Sequence, residues 1–158
     1  MNPEIIEKLE KARVMIPLDE GSVDEFMDLL DEVTEAGDPS VIGPILLLAD
    51  DNLDLEGVVQ SMLGFLEDFS PADYAAGFLG VLEEFSEKSP SWCLSELRKI
   101  LWSNEADALI EKASEASSST QRCLVSMLMR VKDETPRLAE TCEQLLTSLG
   151  PGPAYPEP

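Results

Sequence analysis

The chain contains no histidine, and that absence removes the commonest general base, the usual partner of a serine or cysteine nucleophile, and the commonest metal ligand. It also lacks a glycine-rich phosphate loop and a GxSxG elbow, the motifs that cradle phosphates or expose a nucleophilic serine. Carboxylate pairs carry no signal, because 32 aspartates and glutamates supply a pair at almost any spacing by chance. No catalytic residue, no cofactor and no metal ligand is therefore assigned, and an enzyme is not expected.

Cysteine is scarce. Cys93, Cys123 and Cys142 are odd in number and have no CxxC spacing, which suits buried thiols in a reducing compartment rather than a disulfide framework or a zinc site. Long apolar runs are missing too: the longest, Val41 to Ala49, has nine residues and is interrupted by Gly43 and Pro44, whereas a membrane span needs roughly 20. With no basic-then-apolar segment at the N-terminus, a cytoplasmic protein is expected.

The most informative absence is positive charge. Residues 1–13 hold three acids and three bases, 14–87 hold 19 acids and no base, and 88–158 hold ten acids and eight bases. Nearly all of the net charge of −21 thus falls in 74 consecutive residues. A surface built only for solubility mixes both signs. A one-signed stretch repels itself, and it attracts and steers a basic partner. Membrane surfaces and nucleic acids are anionic and are excluded as partners on the same ground.

What is present is helical periodicity. An apolar content of 44% is ample for a core. A first helix is marked by Ile5, Ile6 and Leu9, and a second runs from about Val23 to Glu35, with Phe26, Leu30 and Val33 inward and acids outward. Gly37 then stops it, and Asp38 before Pro39 opens a third helix to about Leu48. A fourth is expected to about Phe69. Ser-Pro pairs at Ser70 and Ser89 open a fifth and a sixth, the latter ending near Trp102. Three more cover about 105–116, 119–132 and 135–149. The pattern predicts an all-α chain of about nine short helices with short links, stacked as antiparallel pairs, in one domain over 1–149. "GPGPAYPEP", with four prolines in nine residues, reads as a mobile tail over 150–158.

The stretch "LLLADDNLDLEGVV", Leu46 to Val59, tests the metal reading directly. Asp50, Asn52 and Asp54 match positions 1, 3 and 5 of an EF-hand loop, but position 6 is Leu55 and position 12 is Ser61, so the turning glycine and the closing glutamate are missing. The stretch reads instead as a turn between helices, with Asp54 capping the fourth and Glu56 in its first turn.

"DPSVIGPILLLADDNLDLEGVVQSMLGFLEDF", Asp38 to Phe69, resembles a HEAT-type helical hairpin, although the arginine that often follows the turn is missing. Taken with "SPSWCLSELRKIL", Ser89 to Leu101, the stretch from about 22 to 102 resembles immunity-protein family thirty, small all-helical bacterial proteins that accompany polymorphic and contact-dependent toxins. The resemblance implies a HEAT-like right-handed α-solenoid and an antitoxin that binds a cognate toxin domain and covers its active site. Combined with the charge, it points to a basic, nuclease-type toxin and to a monomeric inhibitor that contacts neither nucleic acid nor membrane. The composition leaves two alternatives open, an acidic secretion chaperone or adaptor and a nucleic-acid mimic that inhibits a DNA-binding protein.

Residues expected to face the partner are Asp50, Asp51, Asp54 and Glu56 at the turn, Gln60 and Glu67 on one polar face of the fourth helix, and Glu83, Glu84 and Glu87 near the end of the fifth, where the helix dipole disfavours anions. Trp102, at a helix end, is a candidate anchor, since tryptophan is enriched at interface hot spots. Trp92 shares a helical stripe with Leu97 and Ile100 and reads as core.

Overall fold

Polar side-chain caps set where three of the helices begin, as the computed structural model shows over residues 1–53, 57–103 and 105–150. The Asn2 side chain accepts from Glu4 N at 3.0 Å to open α1 (Pro3–Val14), and Ser70 accepts from Asp73 N at 3.2 Å to open α5 (Pro71–Lys88). Ser117 does the same for α8 (Ser118–Glu134) through Thr120 N. Each cap satisfies a backbone donor that the first helical turn leaves without a partner. Between these lie α2 (Val23–Glu35), α3 (Ile42–Leu46), α4 (Val58–Gly64), α6 (Pro90–Trp102) and α7 (Ala106–Glu115), and α9 (Ala139–Leu149) closes the order. The described residues are all helix, turn and loop, with no strand.

Four expectations need correction in detail. The third helix is split into a 3-10 turn over Pro39–Val41 and a short α3. It ends in tight bonds from Leu48 N to Ile45 O and from Ala49 N to Leu46 O. The fourth is much shorter than its apolar pattern suggested. It starts after Gly57, whose φ of +79° is a left-handed conformation suited to glycine, so Gly57 and not Asp54 holds the cap position. It stops at Gly64, where the chain leaves α-helical geometry through turns over 65–68, with tighter bonds from Leu66 N to Leu63 O and from Glu67 N to Gly64 O. A second 3-10 turn over Pro136–Leu138 precedes α9, which shortens the ninth helix in the same way. Lastly, Ser89 does not cap α6 with its own side chain. The residues Asp54, Leu55, Glu56 and Asn104 and the 151–158 part of the expected tail lie outside the described residues.

The helices pack in the order of stacked hairpins. Neighbours in sequence pair, as α1 with α2, α5 with α6 and α8 with α9, while α3, α5, α7 and α9 lie side by side in succession. Each presents an apolar stripe, and the buried side chains form one continuous cluster from Ile5 in α1 to Leu145 in α9. Phe78 and Phe85 of α5 meet edge to face at its centre, ring centroids 6.4 Å apart. Among the described residues no helix is long and apolar enough to cross a membrane, and no group of three or more cysteines, aspartates or glutamates is placed to hold a metal ion.

The cysteines match the core reading in two cases and partly in the third. Cys93 and Cys142 are buried, Cys123 is half-buried, and all three are free thiols. Burial pushes the Cys93 thiol up to about 12, so it stays protonated at neutral pH and behaves as a small apolar group.

The α3–α5 crossing is held close by glycine. A Cβ on Gly77 would lie 2.6 Å from the Cβ of Ile42, and one on Gly43 would lie 2.8 Å from a methyl of Val81. The Ile42 atom is fixed to its backbone and cannot swing away. Gly77→Ala should therefore push α3 off α5 and cost about 1–3 kcal/mol in a urea unfolding experiment. Gly80→Ala on the same helix meets nothing within 4 Å and should add about 0.5–1 kcal/mol through helix propensity. Equal effects from both would contradict a close crossing.

Candidate functional site

The turn after α3 is bonded to the junction of α5 and α6 through Leu47, Ala49 and Asp51. The Lys88 ammonium donates to the carbonyl of Leu47, and the buried hydroxyl of Ser89 donates to Ala49 O at 2.6 Å. The carboxylate of Asp51 then accepts from Ser91 N at 3.0 Å and Trp92 N at 3.2 Å. Asp51 is thus the cap of α6 supplied from forty residues away, at the end of the helix where negative charge is favoured. Asp50 is half-buried, and one of its oxygens accepts from the backbone N of Asn52 at 2.8 Å and from its side-chain amide at 3.2 Å, a turn built by a side chain.

Gln60 and Glu67 come together, although Glu67 lies in the turns beyond the end of α4 and not on the helix expected to carry both. They line a groove of about 380 Å³ between α4 and α6 with Leu63, Trp92, Ser95, Glu96 and Lys99. Here Lys99 lies 3.1 Å from Glu67 and 3.8 Å from Glu96, and 5.8 Å from the centre of the Tyr74 ring. A cation therefore sits between two carboxylates beside an aromatic face. Glu96 is only 4% exposed and also accepts the Tyr74 hydroxyl. Desolvation raises its pKa above the ordinary glutamate value, against the opposing pull of Tyr74 and Lys99.

The α5 acids divide. Glu83 accepts from the hydroxyls of Ser119 and Thr120, both at 2.9 Å, and so ties α5 to the start of α8. Glu84 and Glu87 are exposed and form no ion pair among the described residues. Glu87 precedes Lys88, so this end of α5 adjoins the Asp50–Asp51 turn. Trp102 is 62% exposed at the end of α6, while Trp92 is half-buried and packs against the core. Asp54 and Glu56 lie outside the described residues.

A second groove of about 380 Å³ was not anticipated. It lies where the end of α2 meets the α4–α5 turns, and it is lined by Asp31, Thr34, Glu35, Gly37, Phe65, Asp68, Phe69, Ser70 and Asp73. Four carboxylates and two half-buried phenylalanines share it, with no lysine or arginine. The one signal in the sequence was the acid pair Asp31 and Glu35 at the end of α2, where the dipole disfavours anions. That the pair would face Asp68 depends on a long-range contact which no local periodicity encodes. Glu96 was missed as well, because a glutamate on a helix carrying polar residues gives no sign of burial.

Two variants test these local structures. Asp51→Ala should lower stability by about 1 kcal/mol, the usual worth of a lost cap, measured by denaturant midpoint; an unchanged midpoint would show that Ser91 and Trp92 do not depend on it. Glu96 holds its proton in the folded chain at a pH where the unfolded chain has already released it. It therefore costs nothing below the ordinary value of 4.5, and its cost grows as pH rises through and above that value toward the raised folded pKa. Glu96→Gln keeps an acceptor for Tyr74 and removes the titration, so its stability should gain on the wild type as pH rises from 4 to 7. Parallel stability curves would contradict the assignment.

Residues 11–110 match the model of a family described as Immunity protein 30. No curated protein matches the chain, and no solved structure does.

Proposed function

Because the chain belongs to the immunity protein 30 family, we propose that it is the antidote to a cognate toxin domain of a polymorphic, contact-dependent system, and that it acts in the cytoplasm by one-to-one binding. It neutralises without catalysis, by covering the toxin's active site or displacing its substrate. The observation that carries the charge side of this reading is how few of the acids of residues 14–87 meet a cation. Among the described residues they are Glu25 and Glu32, reached by Lys11 and Lys8, Asp38, near the N-terminal ammonium, and Glu67, paired with Lys99. The remaining described carboxylates leave this half of the chain strongly negative, which favours a basic partner. A toxin that acts on nucleic acid has a basic cleft of this kind, and carboxylates offered there stand in for phosphates.

On this reading the partner surface includes Asp50, Asp51, Asp54, Glu56, Gln60, Glu67, Glu83, Glu84, Glu87 and Trp102. Several of these have internal duties as well, Asp51 as a cap and Glu83 as a tie to α8, so charge rather than free valence is what they present. Glu84, Glu87 and Trp102 are the most open to a partner.

The toxin domain encoded beside this gene should co-purify with the full chain at low salt. Its association rate should fall roughly tenfold or more as salt rises through the range that screens exposed charge. No complex at low salt, and no protection of cells that express the toxin, would refute the proposal; a complex whose association ignores salt would refute the electrostatic part alone.

A further inference from the structure

The two grooves contain similar components, and one of them is incomplete. In the α4–α6 groove an ammonium from this chain, Lys99, occupies the space between Glu67 and Glu96 and approaches the Tyr74 ring. In the groove between the end of α2 and the α4–α5 turns, carboxylates and phenyl rings are present but the cation is not. Asp31, Glu35 and Asp68 make no ion pair and no side-chain hydrogen bond among the described residues. Asp73 is the exception, since it accepts the Ser70 hydroxyl at 2.6 Å as part of the α5 cap.

The backbone adds to the deficit. α2 ends at Glu35 and α4 at Gly64, so two helices bring their C-terminal ends to this groove, and neither has a base in its last turn. The carbonyl end of a helix carries a partial negative charge and ordinarily favours lysine or arginine nearby. The start of α5 contributes the opposite sign, and there Asp73 already answers it. Phe65 and Phe69 are half-buried at the same place, packed on the core below and lining the groove above. A face meant only to be hydrated has no use for an aromatic floor.

We infer that this groove receives an arginine-bearing segment of the toxin partner. The guanidinium takes carboxylate oxygens of Asp31, Glu35 and Asp68, and its plane and aliphatic stem lie against Phe65 and Phe69. Arginine fits better than lysine because its flat fork pairs two oxygens at once and stacks on a ring. The inference rests on the antidote reading and adds a place and a partner chemistry to it. It also shifts the centre of the interface to residues outside the turn at Asp50.

The test uses the full chain and the toxin domain encoded beside its gene. One variant neutralises the groove at constant shape, D31N/E35Q/D68N. A control removes equal charge elsewhere, E111Q/D133N/E140Q, at residues that are exposed and form no ion pair among the described residues. Thermal melts establish that both variants are folded. The groove variant should bind roughly thirtyfold or more weakly, mainly through faster dissociation, whereas the control should lose little beyond a modest fall in association rate. If the groove variant binds no more weakly than the control, the groove is not the arginine site and the antidote reading stands. If the wild-type chain neither binds the toxin domain nor protects cells from it, both fail together.

Discussion

The acidic half of this chain has no lysine or arginine with which to neutralise itself, since residues 14–87 contain neither, and the fold meets that constraint by bringing cations in from both flanks. From α1, Lys8 and Lys11 reach Glu32 and Glu25 across the α1–α2 pair. From the other side, Lys88 holds the carbonyl of Leu47, and Lys99 enters the α4–α6 groove beside Glu67. These contacts lie at the places where the acidic segment joins its neighbours. Exposed ion pairs contribute little to stability individually; their value here is to relieve self-repulsion where helices must approach. At the end of α2 and the α4–α5 turns no base of the described residues arrives, and it is this negative charge that the proposal assigns to the toxin partner.

In the proposed reading, stability and binding draw on the same acids in different proportions. Asp51 and Glu83 are fixed by hydrogen bonds to other helices, and Asp50 is folded into its own turn. Their charges still add to the field, but their oxygens are engaged. Asp31, Glu35 and Asp68 contribute to the field and keep oxygens that a guanidinium can take. In the proposed antidote reading, long-range attraction draws a basic toxin domain in, and a few groups that have no internal partner among the described residues hold it.

Much of the fold was legible because helix signals are local. The bounds of α2, the serine and proline opening of α5, and the stop at Gly37 followed from apolar spacing and cap chemistry, and Gly37 has the left-handed φ of +66° that such a stop requires. The errors arose where distant residues decide. The apolar stripe from Leu55 to Leu66 continues smoothly, yet α4 starts only after Gly57 and gives way to tighter turns after Gly64. Ser89 has the sequence of a cap, but Ala49 O takes its hydroxyl and Asp51 takes over the helix end. The one-signed charge on which the proposed basic partner rests is legible in the distribution of lysine and arginine along the chain. The groove at Asp31 and Asp68 is not, because its two walls lie on segments whose contact no spacing reveals.

Amide hydrogen exchange on the full chain, with and without the proposed toxin partner, tests the central claim most directly, since it maps the partner's footprint without altering a single charge. Exchange should slow on complex formation at residues 31–37 and 65–73, the two walls of the unpaired acidic groove. Slowing confined to α7, α8 and α9, with those two segments unchanged, would contradict the account.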